Sequence, residues 1–249
     1  MRLARQRPGT NAFSIDVLCA RILERHRDSI KVQKPHLAVP NLTRIIGATL
    51  TLSNKHGFHA TTLRQLAEAS GLSMGGLYTY FDSKPTLLSM ILSEVAETVS
   101  EVLTAPPDDV KEDARKHLHW IVATHVRMSE TMQPWFVFAF MEAKSFPPAE
   151  RQRAKDMEVM TEKIIANVLR QGVASGVFTI DQVTLSASLI KPLLQDWYVK
   201  RAKYRTRGTS IEAYINGVTT FIDAALSARS RPGRMAASSR SKPKQMAHS

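Results

Sequence analysis

The sequence predicts an all-α protein of two domains, a small amino-terminal helix-turn-helix domain followed by a larger helical domain. Three observations carry this expectation. Residues 61–84, TTLRQLAEASGLSMGGLYTYFDSK, place a short helix, a glycine turn, a second short helix and a new helix start within one brief stretch. Beyond it Leu88, Ile91, Val95, Val99 and Val102 recur at three- and four-residue spacing, which keeps them on one face of a long helix. No segment alternates apolar and polar residues as a half-buried strand would, and no repeat of solenoid period is present. A length of 249 residues suits one large domain or two ordinary ones, and 43% hydrophobic content is enough for a buried core.

Taken in order, residues 1–40 read as a basic, flexible extension, with helical periodicity from Ile15 to Arg27 ahead of breaks at Pro35 and Pro40. A first main helix is expected from about Asn41 to His56, with Ile45, Thr49 and Leu52 inward and Gly57 as its stop. In the next helix Leu63, Leu66 and Ala67 face inward and Arg64, Gln65 and Glu68 outward, and Gly71 makes the turn. Ser73 supplies a capping oxygen to the helix that follows, whose inner face is Leu77 and Phe81. Met74, Gly75, Gly76, Tyr78, Thr79 and Tyr80 are thereby expected to face out, which suits a groove better than a core. Ser83 caps the long helix, which ends before Pro106-Pro107. Amphipathic helices are expected at roughly 108–130, 132–146, 149–175, 181–205 and 210–228, with breaks at Gly176 and Gly208 and a kink at Pro192. Residues 229–249 have almost nothing to bury and read as a disordered basic tail.

The motif residues also carry a family resemblance. Thr61-Thr62, Leu66-Ala67, Gly71-Leu72-Ser73, Leu77-Tyr78-Thr79-Tyr80-Phe81 and Lys84 resemble the amino-terminal signature of the TetR family of bacterial transcriptional repressors, and Arg44 to Ala48 with Gly57-Phe58 extend the match upstream. Pro85 stands where that family usually has an acidic residue, a change that a first helical turn tolerates. The resemblance implies a DNA-binding domain over 41–104 and a ligand-binding and dimerisation domain over 105–228. It further implies a homodimer on double-stranded DNA, repressing from a palindromic operator until a small effector releases it. It marks Thr62, Arg64, Ser73, Met74, Gly75, Gly76, Tyr78, Thr79, Tyr80 and Lys84 as DNA-facing, with Arg64 suited to a guanine edge and Thr62, Tyr78, Tyr80 and Lys84 to phosphates.

In the second half, residues 189–205 and 210–222 are similar to the last two helices of family members that respond to acyl-CoA, where such helices form the dimer interface. Leu189, Leu193, Leu194 and Trp197 make the corresponding stripe. An effector cavity is suggested by Trp120, Thr124, His125 and Met128 followed by Phe138 and Met141, since aromatic and methionine side chains with a few polar groups suit a hydrophobic ligand. Arg127, Lys144, Arg151 and Arg153 are the basic residues available near its mouth for an acyl-CoA.

Charge and cysteine content narrow the remaining classes. The net charge of +12 lies in the ends, with eight Lys/Arg against three acids in residues 1–40 and six against none in 229–249, so the basic tails fit solvated appendages or a non-specific clamp on phosphates. The single Cys19 has no internal disulfide partner and no Cys/His cluster has metal-ligand spacing, so a reducing cytoplasm and no cofactor or metal are expected. The longest apolar run, Trp135 to Met141, is far below the roughly 18 residues of a membrane span, and Asp16 and Arg21 interrupt any signal-peptide core. Gly71-Leu72-Ser73-Met74-Gly75 also matches the G-x-S-x-G elbow of serine hydrolases, which would make Ser73 a nucleophile. That motif needs a strand before the serine, and the residues there are helical in period. A regulator is therefore expected rather than an enzyme; the alternatives are that hydrolase and a helical interaction protein without operator binding.

Overall fold

The structure is a computed structural model that describes residues 10–227; the basic tail of the sequence reading lies outside them. After a 3-10 turn at Thr10–Phe13, the helices are α1 (Ile15–Arg25), α2 (Pro35–His56), α3 (Leu63–Ser70), α4 (Met74–Leu77), α5 (Lys84–Leu103) and α6 (Asp108–Lys111). They continue with α7 (Ala114–Thr131), α8 (Gln133–Met141), α9 (Pro148–Ala174), α10 (Val183–Val199), α11 (Arg201–Thr206) and α12 (Ile211–Ser227), with no strand among the described residues. Helices α1 to α4 and the start of α5 form the head; in the larger body α7, α8 and α9 pack against α5, and α6, α10, α11 and α12 join through α7, α9 and α10.

Four helix starts have a clear local cause. Thr62 and Gln65 form a reciprocal capping box at α3, Ser73 accepts from the Gly76 N–H at α4, Ser83 accepts from the Thr86 N–H at α5, and Asp113 accepts from Arg115 and Lys116 at α7. Gly71 ends α3 in the left-handed region at φ 65°, where only glycine sits without strain. The stripe on α5 is buried from Leu88 to Val99, as the spacing requires.

The amino-terminal reading needs correction. Residues 10–40 are not a flexible extension, because α1 buries Leu18, Cys19, Ile22 and Leu23 against α2 and α5, and Ile30 and Ala38 are buried with them. Nor do the prolines break the chain before Asn41. Pro35 occupies the first turn of α2, where its missing N–H costs nothing, and α2 continues through Pro40. Burial raises the Cys19 thiol pKa to about 12, which leaves it an inert core side chain.

A charged clasp fixes α1 to the long helix. Glu94 of α5 has a fully buried side chain, and its carboxylate pairs with Arg21 at 2.7 Å and with Arg25. The same two arginines reach Glu101 at 2.7 and 2.9 Å, and Arg25 reaches Glu97 at 2.7 Å. Burial pushes the Glu94 carboxyl above the ordinary range and the two guanidinium groups oppose that shift. Thr43 of α2 adds a 2.7 Å bond to Asp16.

A chain beginning at Asn41 would lose five large or medium apolar side chains from the core, each worth about 1.5–3 kcal/mol, and would leave Glu94 without its two arginine partners. It should be destabilised by at least ~5 kcal/mol, which is comparable to the whole stability of many domains. Denaturant titration followed by circular dichroism reads this directly; an unchanged midpoint would show that α1 contributes nothing to the fold.

Candidate nucleic-acid interface and ligand cavity

The head is assembled around the turn between α3 and α4. Arg44 of α2 holds that turn, donating to the Ser70 and Gly71 carbonyls at 2.7 Å each, and Asn41 one turn earlier donates to the Tyr80 hydroxyl at 2.8 Å. The Lys31 N–H donates to the Thr79 carbonyl at 2.8 Å, so the segment before α2 also ties down the chain just after α4. Leu77 and Phe81 point into the core as their spacing requires.

On the outer face the structure exposes Thr62, Arg64, Ser73, Met74, Gly75 and Tyr78, and half-exposes Gly76 and Thr79. The Arg64 side chain makes no hydrogen bond or ion pair with any described residue, which leaves its guanidinium available. Two expected contacts are corrected. Tyr80 is only 2% exposed, because the short α4 ends at Leu77 and the chain turns its next residues back toward α2. Lys84 is half-buried and its ammonium donates to the carbonyls of Phe58, His59 and Thr61 at 2.7, 3.2 and 2.6 Å, so its protons are already taken by the junction of α2 and α3. Ser73 is engaged as the cap of α4 and follows a helix and a turn, which is not the strand-to-helix setting of a hydrolase elbow.

In the body, a cavity of about 420 Å³ lies between α5, α7, α8, α9 and α10. Its apolar wall includes Val99, Phe136, Ala139, Phe140, Met141 and Met157, and its exposed rim includes Lys144, Arg151 and Lys155. Of the expected effector residues, His125 and Met141 line it and Trp120, Thr124, Met128 and Phe138 do not. Helix α7 is surrounded by α9, α10 and α12, so only His125 from this set reaches the cavity, while Met128 is core and Trp120 and Thr124 are half-buried elsewhere. Phe138 faces away, with its ring edge-on to Phe58 at 5.6 Å and near Phe146 at 5.7 Å. Among the expected basic groups Arg127 pairs with Glu212 and Arg153 bonds Ser89 and Ser93, leaving Lys144 and Arg151 at the rim.

The sequence reading missed Glu158 and Thr161 on α9 and Lys191, Gln195 and Tyr198 on α10. The available signal was polar residues at positions 191 and 195, four apart, on the buried face of an otherwise apolar helix. Lys191 and His125 are both buried, with Nζ and Nε2 3.3 Å apart. Burial, with Lys191 adding to it, drives His125 well below its ordinary pKa, and burial lowers Lys191 to about 8 against the opposing pull of Glu158 and Glu162.

The expected interface stripe is divided by the fold. Leu194 and Trp197 are fully buried, Trp197 among Tyr204 and Tyr214 with its indole N–H given to Glu130 at 2.9 Å. Leu189 is exposed and Leu193 half-buried. The outward apolar face is instead Leu185 and Leu189 of α10, and Phe221 of α12 is also exposed.

With this geometry, comparison with known proteins becomes specific. The family model described as bacterial regulatory proteins, tetR family, matches residues 45–91, and that described as tetracyclin repressor-like, C-terminal domain, matches residues 111–199. The chain belongs to the TetR family. It is a transcriptional regulator by that membership, and the family is not one of enzymes. This TetR-family chain is 24% identical over 206 residues to the HTH-type transcriptional regulator HbdR of Aromatoleum sp. (strain CIB), covering 82% of its own length and 90% of that protein. Its fold is similar to a bacterial regulatory protein of the tetR family from Rhodococcus RHA1, with a TM-score of 0.65, 21% identity and coverage of 75% and 97% of the two chains. The regulator FadR from Bacillus subtilis, solved in complex with stearoyl-CoA, is similar with a TM-score of 0.57, 18% identity and coverage of 74% and 98%. Among the described residues no helix is long and apolar enough to cross a membrane.

The buried lysine gives a signed pH dependence. Its folded pKa of about 8 lies below the ordinary 10.5, so the cost of its charge is present in full below pH 8 and is relieved as pH rises toward 10.5. Lys191→Met removes that cost at every pH. Its stability advantage over the parent should therefore shrink by roughly 2–3 kcal/mol between about pH 7 and pH 10, measured as the difference in urea midpoints; a constant difference would mean that Lys191 titrates normally.

Proposed function

We propose that this TetR-family regulator acts in the cytoplasm as a homodimeric repressor, released from a two-fold symmetric operator by a hydrophobic acyl-CoA. The observation that carries the reading is the double role of α8. One face of this helix lines the cavity with Phe136, Ala139, Phe140 and Met141, while Phe138 and Glu142 at its end hold the head through Phe58. A ligand that repositions α8 shifts Phe58, and with it the junction that Lys84 ties to the start of α5. Two sites and one shared element then give a differential affinity between two states.

The lining supports the ligand class. Its volume lies within the range of about 300–1,000 Å³ usual for ligand sites, its wall is apolar, and Lys144, Arg151 and Lys155 at the rim suit the phosphates of a coenzyme portion. The similarity to the stearoyl-CoA complex of FadR points the same way. For the DNA, Arg64 is assigned to a base edge, Thr62 and Tyr78 to phosphates, and the exposed Gly75 to close backbone approach. Leu185, Leu189 and Phe221 are assigned to the dimer face, since large exposed apolar side chains there need a partner to cover them.

Gly75→Glu tests the reading head with little structural cost, because a Cβ there meets nothing nearer than Ser73 Oγ at 4.0 Å, whereas at Gly76 it would meet that oxygen at 3.3 Å. Operator affinity, measured on a duplex selected from random sequence, should fall by at least about 100-fold, or ~2.7 kcal/mol, with the melting temperature unchanged. Retained affinity would place recognition on another face.

The coupling is tested by titrating the operator complex with saturated acyl-CoAs of increasing length. Release should strengthen by up to ~0.8 kcal/mol per added methylene until the cavity is full. Glu142→Gln weakens the 2.7 Å acceptor of the Phe58 N–H and should blunt release while sparing operator affinity. Equal release by parent and variant would show that α8 does not transmit the signal, and no release at any length would exclude acyl-CoA as effector.

A further inference from the structure

The inner end of the cavity is chemically unlike its wall, and this bears on which acyl group it takes. Its exposed residues, Phe140, Met141, Lys144, Arg151 and Lys155, mark the opening, while His125 and Lys191 are buried at the other extreme of exposure. An ammonium can only donate, so the 3.3 Å contact makes His125 Nε2 the acceptor and leaves the imidazole proton on Nδ1. That Nδ1 is buried and has no hydrogen-bond partner among the described residues. Lys191 has three N–H groups, and His125 is its one hydrogen-bond partner among them. A fully buried histidine and a buried lysine thus present donors without acceptors, an arrangement that is costly unless something supplies the acceptor.

The charge around this pair decides what the acceptor is. Glu158 also lines the cavity, accepting from Gln195 at 2.7 Å, and Glu162 accepts from Ser188 at 2.8 Å; both carboxylates act on Lys191. With Glu158 and Glu162 already acting on the ammonium through space, a ligand carboxylate would add a third negative charge around one positive charge, whereas a neutral oxygen would meet the free donors without adding charge. Resting on the acyl-CoA reading above, we propose that His125 and Lys191 form an oxygen-binding subsite, and that the effector is an acyl-CoA bearing a neutral hydroxyl or carbonyl toward the far end of its acyl group.

The test is calorimetric binding to the full-length protein, with three series of CoA thioesters of matched length from four to twelve carbons: saturated, ω-hydroxy and ω-carboxy. At the length that places its oxygen against Lys191, the ω-hydroxy compound should bind at least about tenfold tighter than its saturated counterpart, because a site with buried donors discriminates against a ligand that leaves them unpaired. The ω-carboxy compound should bind more weakly than the ω-hydroxy one. Lys191→Met and His125→Leu should each abolish the hydroxyl preference while still binding the saturated series. Saturated chains binding as well as hydroxylated ones at every length would overturn the subsite while leaving the acyl-CoA reading intact, as would a preference for the carboxylates. Absence of binding by all three series would overturn both.

Discussion

Phe58 is gripped from three directions, and the relation between head and body depends on that grip. Its N–H is accepted by Glu142 at 2.7 Å, its ring packs edge-on against Phe138 and Phe146, and its carbonyl takes one proton of Lys84, whose ammonium also sits 4.7 Å over the same ring. These contacts draw on α2, α8, the segment after α8 and the first turn of α5. A charge-assisted bond to a backbone N–H is short and directional, and a T-shaped aromatic cluster tolerates little sliding. The head is therefore registered against the wall of the cavity rather than hung from a flexible linker. A second α2–α8 tie, from Asn54 to the Pro134 carbonyl at 3.2 Å, makes α8 lean on α2 along its length.

The local design of the head was legible because its causes are local. Gly71, Ser73 and Ser83 each announce a cap or a turn within a few residues, and all three do what their chemistry requires. The long stripe on α5 was equally plain, since one face of a helix is a property of spacing alone. What escaped the sequence were roles settled between distant segments. Arg44 enters the sequence reading only as part of the family match, yet it latches a turn 26 residues away. Tyr80 and Lys84 belong to a motif whose resemblance marks them as DNA-facing, but whether a side chain turns outward after a helix of four residues depends on the packing of α2, which no periodicity reports.

The cavity shows the same division. Its aromatic wall from α8 was visible as a rich apolar run, but a helix apolar on every side carries no signal about which residues face a void; this is why Phe138 was placed on the wrong side. For the stripe on α10 the burial of Trp197 was decided by Tyr204 and Tyr214, which stack against it from α11 and α12. The amino-terminal segment fails for a different reason. Its basic charge suggested a solvated tail, whereas Arg21 and Arg25 carry that charge into a clasp around the buried Glu94. Net charge counts residues and is blind to pairing.

Two buried charged clusters therefore stand in one chain, and they are not equivalent. Glu94 is compensated: two arginines and Thr98 satisfy its oxygens, so its burial serves to hold α1 on the long helix. Lys191 is compensated only through space by Glu158 and Glu162, both of which spend their hydrogen bonds on other partners, and its one side-chain hydrogen-bond partner among the described residues is a neutral imidazole. A core under selection for stability alone would be better served by a methionine at that position, because a well-packed apolar group carries no desolvation cost. Satisfied polar clusters specify a fold, whereas unsatisfied ones at a cavity wall mark the place where the protein has left part of its hydrogen bonding to be completed by something else. By that criterion the clasp at Glu94 belongs to the architecture and the pair at Lys191 belongs to recognition.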